Sequence, residues 1–558
     1  MNEESELEEF APWFVLVITL VGGFLRVLLL GAKGMWLDET FSVWLANMAA
    51  GDMLHWIIQI DQHPPLYYLL LHSWVALAGD TPFYARLLSA LFGTATIPFI
   101  YLTGRRIGGP TVGVTAAVLL AVSPLNIYFA QEARMYALLT FTVAVAIYAL
   151  ARLLTDARAV EPIGSQFRQW LHTWRTAGPV EPEPNADPRF HVEPPRTGWR
   201  GWVYRHRWSP IQSIETDLAW VGFIVFSAAT LLTHNTAVFF PLATNLFVIG
   251  LMVVQRARLP AIDAAMRAPS LANWVKAQAA ILLLWLPWLP VFVMQARRVD
   301  EQFWLPQPTW EIVTETLRAL LNSSAPTIYS QAMMWVLCGV LLLGMVYFRK
   351  RPSILFFLAT LFLVPVLGEL IVSIRRPIFY YRTLIWITLP LLLLLAAGVA
   401  QVRYRFVKIG VVGLLVTTYL FAAGDYFRFA QKEDWSTPAG YVANFAEAGD
   451  LLLFNSNFVV IPFDYYFAPY AELYSIEVEK QGVPLDLYRD GVLEPQMTES
   501  DIPALSAMLR GHDRVWLVYS HDSYTDPQGL IPQTLAAQMN LTRTRDFYGG
   551  QVQLYEMP

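Results

Sequence analysis

FVLVITLVGGFLRVLLL, residues 14–30, runs almost directly into MWLDETFSVW, residues 35–44. The first stretch carries a single charge, Arg26, and with its flanks it reaches the roughly 20 apolar residues that cross a bilayer. The second sets two adjacent carboxylates, Asp38 and Glu39, among Trp36, Leu37, Phe41, Val43 and Trp44. Ionised carboxylates are costly to desolvate unless something pairs or uses them. A crossing helix that delivers two acids to a membrane surface is the pattern from which the rest of the chain is read.

Similar apolar blocks recur, among them ITLPLLLLLAAGVA (387–400). Of 558 residues, 55% are hydrophobic and only 15% charged, and the mean hydropathy is +0.41. Soluble domains carry about 25% charge, so the composition is that of a polytopic α-helical membrane protein. Spans are expected near 11–31, 84–104, 112–130, 135–153, 218–234, 236–254, 277–294, 332–348, 353–373, 383–400 and 407–424, eleven in all. A net charge of −5 says little about partners, and no pattern suggests nucleic acid. The sole cysteine, Cys338, excludes an intrachain disulfide. The acidic start, MNEESELEEF, and the lack of a small-residue cleavage site make the first block a retained helix rather than a signal peptide.

Orientation turns on LYYLLLHSWVALAG (66–79), which at 14 residues is short for a crossing. If it does not cross and the N-terminus is cytoplasmic, the inner loops collect Arg105, Arg106, Arg256, Arg258, Arg267, Lys276, Arg349, Lys350, Arg351, Arg403, Arg405 and Lys408. They also collect eight arginines of the 154–217 segment. That is the positive-inside distribution. The stretch 66–79 is therefore expected as a juxtamembrane or re-entrant helix, with the N-terminus inside and the C-terminus outside.

This divides the chain into a membrane domain, 1–424, and a soluble extracytoplasmic domain, 425–558. The membrane domain has a first outer loop at 31–83 and a Pro- and Arg-rich cytoplasmic loop at 154–217. A second outer loop at 295–331 has an aromatic start, FWLPQPTW (303–310), and an amphipathic helix near 309–321. After 424, GDLLLFNSNFVVI (449–461), DRVWLVYS (513–520) and QVQLYEM (551–557) read as strands. SDIPALSAMLRG (500–511) and LIPQTLAAQM (530–539) read as helices, which together make a small α/β unit. It has no nucleotide fingerprint.

The topology puts one set of polar groups outside: Asp38, Glu39, DQHPP (61–65), Arg86, QEARMY (131–136), His234, Asn235, Arg297, Arg298 and RRPIFYYR (375–382). The arginines run against the inside bias. Arg297 and Arg298 either snorkel to headgroups or bind an anion. For Arg375, Arg376 and Arg382, set around a proline and aromatics, anion binding is the favoured reading.

Several stretches, in their order, resemble the lipid-linked-sugar transferases of the GT-C type, closest to the protein mannosyltransferases and aminoarabinose transferases. They are WLDETFSVWLA (36–46), DQHPPLYYLLLHSW (61–74), ARLLSALFGTATIPFIYLTGRRIGG (85–109), SPLNIYFAQEARMYALL (123–139), RRPIFYYRTLIWITLPLLLLLAAG (375–398) and QKEDWSTPAGYVANF (431–445). The resemblance implies a GT-C-like membrane fold in the cell membrane. It further implies a sugar donor on a polyprenyl phosphate, reaction at the outer face, and an essential acid in the first outer loop, matched by Asp38. A lipid, glycan or protein would be the acceptor.

The chemistry of such a transfer is consistent with these residue types. The acceptor is a poor nucleophile, so a carboxylate within reach can take its proton as the bond forms. The leaving phosphate needs positive charge and hydrogen-bond donors rather than a general acid. Direct displacement would invert the anomeric centre. Asp38 is thus expected as the base, with Glu39 either orienting it or pairing with an arginine such as Arg86. His63, Arg86, Arg375, Arg376, Tyr381 and Arg382 are expected at the donor phosphate, where arginine offers a planar donor fork. Asp61, Glu132, Arg134, Tyr136 and His234 are expected toward sugar or acceptor. Glu132 and Arg134 could instead brace one another, and His234 could cap a turn. The arginines supply the neutralising charge, so neither metal nor cofactor is expected, although Asp38, Glu39 and His63 have donor atoms for a divalent ion. The alternative activity is transport or flipping of a lipid-linked molecule. Transporters often show internal repeats and midplane sites; here no repeat is detectable and the ionisable groups gather at one face.

Overall fold

The computed structural model describes residues 3–61, 63–176, 215–257, 265–298, 307–321, 328–484, 488–489, 492–493 and 495–558. Most of the expected cytoplasmic loop (177–214) and the FWLP part of the second outer loop lie outside the described residues.

Among the described residues, seven helices are long and apolar enough to cross a membrane: Glu9–Val27, Pro82–Gly108, Tyr136–Thr155, Asn235–Arg256, Gln331–Lys350, Pro352–Ser373 and Arg405–Phe429. Two bent pairs raise the number to as many as nine: Pro110–Ala121 with Pro124–Ala130, bent by 56°, and Leu271–Trp285 with Leu289–Arg297, bent by 71°. The other two expected spans are also helical but shorter, Glu215–Leu231 with 17 residues and Ile385–Gln401. The stretch read as juxtamembrane is the 13-residue helix Leu66–Ala78, ended by Gly79 at φ +91°.

Local sequence sets these boundaries. The Thr81 side chain accepts from the Tyr84 N–H, Pro82 opens the helix, and Arg105 and Arg106 occupy its last turn. Each placement suits the charge and the unpaired groups of a helix end. Gly109, at φ +90°, stops it, and Pro110 starts the next helix at once. The two helices then touch backbone to backbone: a Cβ on Gly104 would lie 2.9 Å from the Gly113 Cα. Small residues at such crossings are how apolar helices pack in lipid. The breaks fall at prolines. Pro124 restarts its helix after Val122, and Pro287 lies between Trp285 and Leu289. The first break leads to residues 131–135. The second brings Gln295 onto the Ile57 and Asp61 carbonyls, at 3.1 and 2.8 Å.

The C-terminal part is a small sheet domain. β1 (Leu451–Phe454), β2 (Glu479–Gly482), β5 (Arg514–Ser520), β6 (Asn540–Phe547) and β7 (Gly550–Glu556) pair in the order β2-β1-β5-β7-β6. β3 (Tyr488–Arg489) and β4 (Val492–Leu493) form a separate ribbon. β2, β1 and β5 are parallel, while β7 runs antiparallel between β5 and β6. Both faces are covered, which is why β1 reads LLLF without alternation. Leu452, Phe454, Trp516 and Val518 pack under the helices Ser436–Phe445 and Asn457–Tyr474. Leu451, Leu453, Val515 and Leu517 pack against Ile502–Met508 and Leu530–Ala536.

One strand expectation needs correction, and β6 was not expected. GDLLLFNSNFVVI is strand only to Phe454; from Asn457 it is an 18-residue helix. Its buried Val459, Phe463 and Phe467 recur every four residues, a helical spacing. β6 escaped notice because NLTRTRDF is almost wholly exposed and carries no apolar alternation.

Candidate active site

The helix Leu37–Ala46 carries both carboxylates in its first turn, where the N-terminal end of the dipole favours negative charge. One residue apart on a helix, they face different surroundings. Glu39 is fully buried. Its Oε1 accepts from Arg86 Nε at 2.7 Å and from the Ala133 N–H at 2.9 Å. Its Oε2 accepts from Arg86 Nη2 at 2.7 Å and from Lys432 Nζ at 3.0 Å. Burial alone would raise this carboxyl's pKa; the charges of Arg86 and Lys432 outweigh it and hold the group below the carboxylate range. Arg86 also donates to the carbonyls of Leu30, Lys33 and Gly34 at 2.7–3.0 Å. All five of its guanidinium donors are thereby engaged. Glu39 and Arg86 satisfy each other and tie the first loop to the helix Pro82–Gly108.

Asp38 faces the other way. Its side chain is 29% exposed, against 0% for Glu39, 7% for Asp61 and 2% for Glu132. Its Oδ2 lies 3.6 Å from Arg382 Nη1 and 3.9 Å from Arg134 Nη2. Arg134 sits in the break after Ala130. Its Nη1 donates to the Asp38 carbonyl, the Ser42 Oγ and the Tyr68 hydroxyl at 3.1–3.3 Å. Arg382 is presented by the turn that follows Ser373. The Ser373 Oγ accepts from the Ile378 and Phe379 N–H groups, and the Thr383 hydroxyl donates to Glu369 at 2.8 Å. The Arg382 guanidinium lies over the Tyr380 ring at 5.3 Å, and the Tyr380 hydroxyl donates to Tyr381 at 3.3 Å.

Around this pair stand the remaining polar groups. His63 Nδ1 is 2.8 Å from Asp61 Oδ1 and 3.5 Å from Arg134 Nη2. Burial would raise the Asp61 pKa, but the His63 and Arg134 charges bring it below its ordinary value. The His63 ring lies 5.1 Å from that of His234, and the His234 ring 6.1 Å from that of Tyr136. Burial, then the nearby His63, Arg382 and Arg134, keep His234 well below the usual imidazole pKa and hence neutral. Its Nδ1 accepts from the Thr236 N–H at 3.2 Å, which leaves the ring proton on Nε2. Glu132 is buried with Lys432 Nζ at 3.5 Å. Burial raises its pKa despite that lysine, and Glu39 adds to the rise.

The expected residues therefore separate. Asp38, Asp61, His63, Arg134, Tyr136, His234, Tyr380, Tyr381 and Arg382 converge. Glu39, Arg86 and Glu132 form a buried layer behind them, joined by Lys432. Arg375 is exposed, and Arg376 donates to the Ala296 carbonyl; neither contacts Asp38 or its arginines among the described residues. Lys432, Glu433, Tyr68 and Ser42 were not singled out by sequence reasoning. For Lys432 and Glu433 the signal was present in QKEDW; Tyr68 and Ser42 become visible only in space. Among the described residues, no three His, Cys, Asp or Glu side chains are grouped to hold a metal ion. What the arrangement offers chemically is one accessible carboxylate flanked by two guanidinium groups.

Residues 62–164 match the family described as dolichyl-phosphate-mannose-protein mannosyltransferase. No curated protein sequence matches the chain. Among solved structures, ArnT from Cupriavidus metallidurans in the apo state superposes with a TM-score of 0.59 at 12% identity, covering 98% of both chains. The same protein bound to undecaprenyl phosphate gives 0.52 at 12% identity, again over 98% of each. The Archaeoglobus fulgidus oligosaccharyltransferase tethered to an acceptor peptide gives 0.51 at 10% identity, covering 99% of this chain and 74% of that one. At such identities the likeness is one of fold: the chain shares the architecture of these membrane proteins over nearly its whole length, and residues 62–164 are similar to the dolichyl-phosphate-mannose-protein mannosyltransferase family.

Proposed function

We propose that the protein transfers a sugar from a polyprenyl-phosphate donor to a lipid, glycan or protein acceptor at the outer face of the cell membrane, with Asp38 as general base. The observation that carries this is the contrast within the acid cluster: Asp38 keeps an accessible carboxylate beside two arginines, while its neighbours are buried. In this reading the acceptor's proton passes to Asp38 as its oxygen or nitrogen bonds to the anomeric carbon. The bond from that carbon to the phosphate oxygen breaks on the opposite side, inverting the centre. Polyprenyl phosphate leaves with both bond electrons, its charge met by Arg382 and Arg134. Tyr381 and His63 line the same space, and Asp61, Tyr136 and His234 face the sugar or acceptor. ArnT, of the same fold, has been seen bound to undecaprenyl phosphate, which supports a lipid-phosphate ligand. The N-terminus lies inside and the sheet domain outside, as the Lys and Arg distribution requires.

Asp38→Asn tests the assignment in proteoliposomes with a panel of labelled polyprenyl-phosphate sugars. Transfer should fall by about 10²–10⁴, the usual worth of a general base, while polyprenyl phosphate still binds. Near wild-type transfer would remove Asp38 from the role.

A further inference from the structure

The helix that presents Asp38 has no side-chain cap of its own: its N-cap residue, Trp36, supplies none. The first N–H groups of a helix need acceptors. Here the acceptor comes from far along the chain. Glu433 Oε2 takes the Leu37 N–H at 3.0 Å, one residue before Asp38. The same oxygen accepts from Trp435 Nε1 at 2.9 Å, and the other lies 3.2 Å from His521 Nε2, at the end of β5. The preceding residue, Lys432, holds Glu39, one residue after Asp38. A second contact comes from the sheet domain: the Tyr466 hydroxyl accepts from the Met35 N–H at 2.7 Å. The turn entering the Asp38 helix is thus gripped on both sides of Asp38 by residues that follow the last long helix.

We infer that Glu433 is a positioning residue for Asp38, and that Glu433 and Tyr466 make the sheet domain a structural part of the active site. A carboxylate at a helix N-terminus stabilises that end through both hydrogen bonding and the dipole. Losing it frees the first turn and with it the direction of Asp38 toward Arg382. The grip does not reach the donor phosphate site itself, so it governs the chemical step more than donor binding. The inference rests on the proposed role of Asp38 for its kinetic part only; its structural part is independent of any activity.

The test uses the full-length protein in proteoliposomes, with Glu433→Ala, Glu433→Gln and Tyr466→Phe. Amide exchange of the 35–46 segment, followed by mass spectrometry, reads the grip directly. Glu433→Ala should raise that exchange about five- to tenfold, as the loss of a helix cap implies. Glu433→Gln, which keeps an oxygen for the Leu37 N–H, should restore most of the protection. Tyr466→Phe, a mild change that leaves the ring in place, should raise exchange several-fold and serves if Glu433→Ala does not fold. In transfer assays, Glu433→Ala should lower kcat at least tenfold while binding of polyprenyl phosphate itself stays within about twofold. Unchanged exchange at 35–46 in Glu433→Ala and Tyr466→Phe overturns the inference. Raised exchange with unaltered kcat overturns the positioning role. If Asp38→Asn remains active while Glu433→Ala still loosens the segment, the general-base reading fails and the grip stands.

Discussion

Glu39→Ala probes the buried layer behind the proposed active site. In the native protein Glu39 accepts four hydrogen bonds, three from cationic groups, with no exposed surface. Alanine leaves Arg86 as a buried cation with its counter-charge gone and takes one of two carboxylates from Lys432, which keeps Glu132 at 3.5 Å. Breaking a buried pair from one side costs about 3–5 kcal/mol, because the partner's charge stays desolvated. Arg86 retains its three carbonyl acceptors, which offsets part of the loss. The expected destabilisation is therefore toward the lower end, about 3 kcal/mol. A double variant, Glu39→Leu with Arg86→Leu, should recover a substantial part, since paired removal is much cheaper than removing one partner. The assay is thermal unfolding of the purified variants in one detergent, with the cycle closed by Arg86→Leu. The pH dependence carries a definite sign. The folded Glu39 carboxyl lies below its ordinary value, so its contribution is complete above the ordinary carboxylate range. That contribution disappears as pH falls through the lower folded value. Wild type and Glu39→Ala should thus converge in acid. A loss under about 1 kcal/mol at neutral pH, or a gap that widens in acid, would refute the account of this layer.

Arg382→Ala should weaken binding of polyprenyl phosphate about 10- to 100-fold, as expected for a lost charge-assisted contact of about 1.5–3 kcal/mol. Arg382→Lys should recover only part, since lysine lacks the planar fork; equilibrium binding of labelled lipid reads both. Gly398→Val should lower the unfolding temperature sharply, because a Cβ at 398 runs into the Val340 carbonyl of the helix Ile328–Tyr347. Gly344 meets the Leu394 carbonyl in the same interface, so Gly344→Val should behave alike. Trp516→Ala, in the sheet domain, should cost about 3–5 kcal/mol in denaturant unfolding for its buried volume; it also removes the Nε1 donor to Asp450 at 2.8 Å, which keeps Arg514 and the Glu447 N–H.

Helix existence was readable because lipid-crossing segments announce themselves by length and apolarity. All eleven expected spans are helical, though two fall short of a full crossing length and two are bent pairs. The bends follow prolines visible in the sequence, but their angles depend on neighbouring helices. The sheet was legible where burial on both faces made continuous apolar runs, as in LLLF and RVWLVYS. It was not legible in β6, where exposure removes the pattern. Asp38 stood out as a carboxylate in an apolar setting following a span. Its separation from Glu39 did not, since adjacent identical charges on one helix carry no record of which way each faces.

Residue order alone determined that this chain is a membrane protein, that its acids and arginines lie at helix ends, and that a small α/β unit follows the membrane helices. Those properties are local: they follow from the transfer free energies of consecutive residues. Only the tertiary structure decided which acid is held by Arg86 and Lys432 and which is left accessible beside Arg134 and Arg382. Those pairings join residues 47 to 393 positions apart, and charge pairing depends on distance in space and on burial, neither of which is written in the spacing of residues along the chain.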